Sequence, residues 1–260
     1  MEPMTQERAI HLSMGEYGEE TLKLVASFVA PIFWVRQADD GTDIINNGSM
    51  FFIDAGQGLF AVTANHVFEA YLKAKRSSPR IKCEIVPNCF EPPGRETVSF
   101  DPEASLIDSD PEFDIATFQI SPAEMEQIGS TVLTTWPPMV PQMGFGVAFA
   151  GFPGHERRIV GPREICFRPF PVLAVPTSVN DRLISCQTER DSIVKAPGFS
   201  EAPPNYDTSG MSGGPLLTHI EQNGLYYWRL GGVIREGNKN MEIIFASRAE
   251  CLLPDGNLAR

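Results

Sequence analysis

Cysteine is sparse and poorly spaced for a metal. The five residues Cys83, Cys89, Cys166, Cys186 and Cys251 include no C-x-x-C pair, which argues against a structural zinc site. Five is also an odd number, so at least one thiol is left without a partner in the chain. Residues 1–20 carry Glu2, Glu7, Glu16, Glu19 and Glu20 and no apolar core of signal-peptide length. Together these features predict a reducing, cytoplasmic compartment. Long apolar runs are missing as well: residues 22–35 form the most apolar early stretch, only 14 residues long, so no membrane partner is expected. Positive charge is scarce, with 21 Lys and Arg against 33 Asp and Glu and a formal charge of −12. Such a surface repels phosphate backbones, and no nucleic-acid partner is expected.

The 260 residues suffice for one large β domain or two small coupled ones, and 42% apolar residues with 21% charged are ordinary for a globular chain. Residues 1–25 are of mixed polarity and read as an amino-terminal extension, a short helix or a loose segment. From Val25 the pattern becomes β-rich. Residues 48–54 and 59–63 are apolar runs flanking Ala55-Gly-Gln-Gly58, the signature of a β-hairpin. Further short runs follow at 81–86, 113–120, 146–151, 164–167, 172–175, 183–187, 215–218, 225–235 and 242–246, separated by many of the 22 Gly and 22 Pro. Many short strands between turn residues predict an antiparallel sandwich or barrel. Residues 130–140, around Trp136-Pro-Pro138, are the best candidate linker between halves spanning 26–135 and 136–260.

Three segments carry the chemistry: Ala61-Val-Thr-Ala-Asn-His66-Val67 after a hairpin strand, Asp110-Pro-Glu-Phe-Asp114-Ile-Ala116 opening an apolar strand, and Asp207-Thr-Ser-Gly210-Met-Ser212-Gly-Gly-Pro-Leu216 leading into another. His66 and Asp114 stand 48 positions apart, Asp114 and Ser212 98. A serine hydroxyl attacks a carbonyl only when an imidazole takes its proton, and that imidazole needs a buried carboxylate to fix its tautomer. The backbone N–H groups of Gly210 and Ser212 can share one concavity, because glycine tolerates the φ such a loop requires. One donor of that kind is typically worth about 2.7–4 kcal/mol of barrier. Asp114 competes with Asp108 and Asp110, but it alone directly precedes the apolar run. Asp110 reads as the start of a turn with Pro111.

Thr63-Ala-Asn-His66-Val, Asp114-Ile-Ala and Gly210-Met-Ser212-Gly-Gly-Pro215 resemble the signature segments of trypsin-like (chymotrypsin-fold) serine peptidases, over roughly residues 28–250. The resemblance implies an all-β fold of two antiparallel six-stranded barrels with the active site in the cleft between them. The first barrel would supply His66 and Asp114, the second Ser212 and an oxyanion hole from Gly210 and Ser212. It implies a substrate pocket with its base near Tyr206 and Asp207 and its wall on Gly231-Gly-Val233-Ile-Arg235-Glu236. Asp207 at the base would favour a basic side chain; Tyr206 filling it would favour a small one. Arg235 and Glu236 would bind or block the peptide. Secreted relatives have cysteine after the histidine, where Val67 stands, and an acidic residue before the serine, where Met211 stands. The zymogen ion pair cannot form, which points to the non-zymogen bacterial and viral branch.

The expected function is therefore a serine endopeptidase acting on protein or peptide substrates through an acyl-enzyme, with neither metal nor organic cofactor. A trypsin-like scaffold with a silent triad, binding proteins through its cleft, is the alternative. An esterase of the α/β-hydrolase kind would need the order Ser, acid, His, which is not present. His11, His155 and His219 read as solvated or packed, and residues 151–158 as a solvated turn with a charged rim. Cys166 and Cys186 read as small core residues, and a Cys83–Cys89 pair as less favoured than free thiols.

Overall fold

The structure is a computed structural model that describes residues 14–38, 40–87, 96–161, 164–188, 206–223, 225–238 and 243–260. A helix, α1 (Glu16–Ser27), leads into β1 (Val29–Gln37), β2 (Asp43–Asp54) and β3 (Leu59–Thr63). Next come α2 (Asn65–Ser77), β4 (Cys83–Ile85), β5 (Val98–Phe100), the short α3 (Pro102–Ser105), β6 (Leu106–Asp110), β7 (Ile115–Gln119) and α4 (Pro122–Ile128). The second half holds β8 (Val147–Gly151), β9 (Arg158–Gly161), β10 (Glu164–Cys166), β11 (Phe170–Ala174), β12 (Pro176–Val179) and β13 (Leu183–Gln187). It ends with β14 (Pro215–Gln222), β15 (Leu225–Asn238) and β16 (Ile243–Arg248).

The fold is mostly β, as expected, and is built on two antiparallel half-barrel sheets. Their strand orders are β5-β4-β1-β2-β3-β7-β6 and β11-β8-β14-β15-β16-β13-β12, so each has seven strands where six were expected. Short edge strands, β5 of three residues and β12 of four, extend them. The expected hairpin is β2–β3, with Phe51 opposite Val62 and Asp54 opposite Leu59. Residues 131–139 cross between the sheets: Leu133 N–H donates to Phe52 O, and Met139 N–H donates to Leu230 O.

The unbroken apolar runs are explained by burial on both faces, as only such strands dispense with a polar side. In β2, Met50 and Phe52 join the first sheet's own core, while Phe51 and Ile53 enter a cluster shared with the second sheet. Leu216 and Ile234 likewise face the second core and Leu217 and Val233 the shared one. Burying each such Leu, Ile or Phe contributes roughly 1.5–3 kcal/mol. Sequence periodicity did not disclose α2, whose Val67, Phe68 and Tyr71 lie on its buried face.

Each end of the described chain packs on the opposite half. Helix α1 lies against β8 and β11 of the second sheet as well as β1. The carboxy-terminal residues run back over the first: Thr117 Oγ1 donates to Gly256 O at 2.6 Å, Leu258 N–H to Asp108 Oδ2 at 3.1 Å and Arg260 to Asp108 Oδ1 at 2.6 Å. Cys83, Cys166, Cys186 and Cys251 are free thiols, Cys166 being only half-buried; Cys89 and His11 lie outside the described residues.

Replacing Asp108 with Ala strips acceptors from Leu258 N–H, Arg260 and Ser109 N–H. The expected loss is about 2 kcal/mol of unfolding free energy, read by urea denaturation. Burial also pushes the Cys186 thiol from 9.0 up to about 12. The folded chain then holds a proton that the unfolded chain releases, so this contribution is complete below pH 9 and fades toward pH 12. Wild type should lose stability across that range more steeply than Cys186→Ala, as measured by urea midpoints at stepped pH.

Candidate active site

His66 stands in the first turn of α2, where the chain leaves β3 and Ala64 serves as the N-cap. Val67 anchors that turn from below: a Cβ on Gly48 would lie 2.5 Å from Val67 Cγ1, so β2 is open where the helix seats. The His66 side chain itself remains half exposed.

Asp114 closes the turn that joins β6 to β7. Asp110 Oδ1 accepts the N–H groups of Glu112 at 2.7 Å and Phe113 at 3.0 Å, the turn-starting role expected of it. Asp114 then adopts φ +56, a left-handed conformation that aspartate tolerates better than most residues. The bend buries the Asp114 side chain, 7% exposed, against the start of α2. Both oxygens are engaged by one residue. His66 N–H donates to Oδ1 at 2.8 Å, and His66 Nδ1 meets Oδ2 at 2.8 Å. An ionised carboxylate only accepts, so Nδ1 carries the proton and Nε2 is left as the basic nitrogen.

The serine loop is held from both sheets. Gly154 N–H donates to Ser209 O at 2.8 Å, Met211 N–H to Thr208 O at 3.0 Å and Gly213 N–H to Ile234 O at 2.7 Å. From β2, Ser49 N–H donates to Ser212 O and Ser49 Oγ donates to Gly210 O, both at 2.8 Å. Gly213 (φ +90) lies so close that a Cβ would fall 2.1 Å from Ser49 O and 2.8 Å from Ala64 N, two residues before His66. That contact brings the backbone beside Ser212 to the foot of the histidine turn. Gly210 (φ +101) is pressed against Asn47 and Phe152 O. Met211, 1% exposed, sinks into the second core, an apolar plug at the position where the resemblance would place a charge.

Two amides of this loop are unspent. Among the described residues, neither Gly210 N–H nor Ser212 N–H donates to any acceptor, while those of Met211, Gly213 and Gly214 all do. These are the two groups expected to form an oxyanion hole. Among the described residues no hydrogen bond joins Ser212 Oγ to His66 Nε2.

The expected pocket residues fare differently. Tyr206 is buried; its hydroxyl donates to Glu156 Oε1 at 3.0 Å and its ring tilts against Phe170 at 4.7 Å. Burial, reinforced by Glu156, pushes its phenol up. Asp207 is exposed rather than at a pocket base, its Oδ1 accepting from Ser209 N–H and Oγ at 2.9 and 2.6 Å. A carboxylate satisfied by its own turn has no reason to face inward. Val233 is 1% exposed and belongs to the shared core, so its side chain is not available to a substrate. Glu236 is exposed, and Arg235 turns toward Asp114, with Nε 3.7 Å from Oδ2. Among the described residues no group of three or more His, Cys, Asp or Glu could hold a metal ion.

Residues 151–158 correct another expectation, because this turn is partly internal. Glu156 is buried, and Arg157 Nη1 reaches Ile45 O and Asn47 Oδ1, both at 2.9 Å. Partial burial pulls the Arg157 guanidinium down from its ordinary value. Asn47 Nδ2 in turn donates to Phe152 O at 2.8 Å. Sequence reading missed Asn47, Ser49 and Arg157 as supports of the loop. The available signal was the polar Asn46-Asn-Gly-Ser49 ahead of the apolar Met50-Phe-Phe-Ile53 within one strand.

The molecule is thus a two-sheet β protein in which an Asp114–His66 pair starts the helix at whose foot the loop bearing Ser212 is seated. No protein-family model matches the chain, and no curated protein matches it. Among solved structures it is similar to a thermostable serine protease, AL20, from an extremophilic microorganism, with a TM-score of 0.46 and 14% identity, covering 86% of this chain and 92% of that one.

Ser49 is fully buried, donating to Gly210 O and accepting from Phe152 N–H. Ser49→Ala removes both bonds and should cost about 1–3 kcal/mol of stability, read by thermal or urea unfolding.

Proposed function

We propose that the chain is a serine endopeptidase that cleaves protein or peptide substrates through an acyl-enzyme. Ser212 Oγ attacks the scissile carbonyl carbon while His66 Nε2 takes its proton. Asp114 holds the ring and stabilises the imidazolium. The oxygen of the tetrahedral adduct accepts from Gly210 N–H and Ser212 N–H. Collapse breaks the C–N bond, and His66 returns the proton to the leaving amine. Water, deprotonated by the same imidazole, then releases the acid and regenerates Ser212.

The observation that carries this reading is the two-point grip of Asp114 on His66, through the backbone N–H and Nδ1 together. A carboxylate serving only to cap a helix would need the first bond alone. The second fixes the tautomer that a general base requires. Met211 in the apolar core supports a loop that needs no amino-terminal processing. The free thiols support a reducing, cytoplasmic setting.

A silent scaffold that binds proteins through the cleft is the second reading, favoured by the missing Ser212–His66 hydrogen bond. Reaction with a fluorophosphonate separates the two. The peptidase reading expects one adduct, on Ser212, by mass spectrometry, and none in Ser212→Ala. Absence of the adduct from the wild-type chain overturns it. Against a diverse peptide library, Ser212→Ala should lower turnover by at least about 10⁴-fold with its circular dichroism unchanged. Asp114→Asn should lose about 10⁴-fold too, since asparagine keeps the left-handed turn but not the charge.

A further inference from the structure

We infer that Arg235 is a positioning residue for the Asp114–His66 pair, an inference that rests on the peptidase reading above. Strand β15 pairs regularly with β16 until the register shifts between Ile234 and Glu236. Arg235 is the residue left over at that bulge. Bulges bend a strand and re-aim a side chain, and this one directs a guanidinium out of the second sheet toward the first. Arg235 Nε stands 3.7 Å from Asp114 Oδ2, and Nη1 donates to Glu112 O at 3.4 Å. Oδ2 therefore has both the imidazole, at 2.8 Å, and the Arg235 guanidinium, at 3.7 Å, beside it.

The side chains differ in exposure, 34% for Arg235 against 7% for Asp114. A buried carboxylate resists ionisation unless a charge or donor compensates. Arg235 supplies such a charge from the half of the molecule that also carries Ser212. The neighbouring charges are otherwise committed. Glu112 pairs with Arg182, and Asp110 caps its own turn with Arg260 Nε 3.7 Å away. Glu236, next along the strand, is exposed. Among the described residues Arg235 is thus the Lys or Arg that reaches Asp114 itself.

The consequence has a definite sign. A cation beside Asp114 favours its ionised form and opposes a second positive charge on the ring. Both effects keep the pair ready for proton uptake at lower pH. Removing the cation reverses both.

The test is the pH profile of kcat/KM for peptide hydrolysis in four chains: wild type, Arg235→Met, Arg235→Lys and Arg182→Met. Arg235→Met keeps much of the aliphatic stem and should move the acid limb to higher pH by about one unit. Arg235→Lys should recover more than half of that displacement, because the contact is a single-nitrogen pairing rather than a fork. Arg182→Met loosens the same turn through Glu112 and should leave the limb in place. An unmoved limb in Arg235→Met overturns the inference, as does an equal shift in Arg182→Met, which would mark a mere clamp between the sheets. If wild type shows no Ser212-dependent turnover, the peptidase reading fails. The Arg235 contact is then still read by the NMR titration of the His66 ring in Ser212→Ala, whose midpoint should rise when Arg235→Met is added. No rise there overturns it.

Discussion

The close seating of Gly213 on β2 is the contact on which the site depends. Its backbone meets Ser49 O and the Thr63–Ala64 junction at distances that exclude any side chain. Through it the serine loop, carried by the second sheet, is set against the strand end from which the histidine helix starts. Ser49 tightens the same seam by bonding Ser212 O, Gly210 O and Phe152 N–H together. Polar groups buried at a seam are costly unless all are satisfied, and satisfied ones fix a single register. The placement of the serine loop against the histidine helix is therefore a property of the interface between halves.

Strain and burial are concentrated where chemistry is proposed. Asp114 is one of two non-glycine residues with positive φ among the described residues, and its carboxylate is nearly closed to water. A turn of this kind costs of order 1 kcal/mol or more and persists because the surroundings over-determine it. Here they do so through Asp110 capping the turn, His66 taking both oxygens and Arg235 standing 3.7 Å from Oδ2. The second core contributes Met211, which holds the serine loop by apolar packing.

Much of this was legible in the residues. Chain order and composition around His66, Asp114 and Ser212 pointed to the proposed chemistry, since few other arrangements put those types beside glycine-rich turns and apolar strands. The hairpin β2–β3 followed from its turn, and Asp110 read correctly as a turn residue because its side chain bonds locally. The pocket did not follow. Tyr206 looks like a pocket floor in one dimension, and only Glu156, 50 residues away, draws its hydroxyl inward. Asp207 spends its carboxylate two residues on, and Val233 belongs to a core shared by both sheets.

The sequence by itself determined the β architecture, the two-halved plan and the three segments that carry His66, Asp114 and Ser212. These rest on local rules: turn chemistry, apolar runs and the conformations that glycine and aspartate allow. The tertiary structure alone decided that Asp114 grips His66 at two points, that Ser49 bonds Ser212 O and Gly210 O, and that a bulge turns Arg235 toward Asp114. Each of these joins groups from distant parts of the chain, and the distances between them are set by how two sheets pack, which no local pattern encodes.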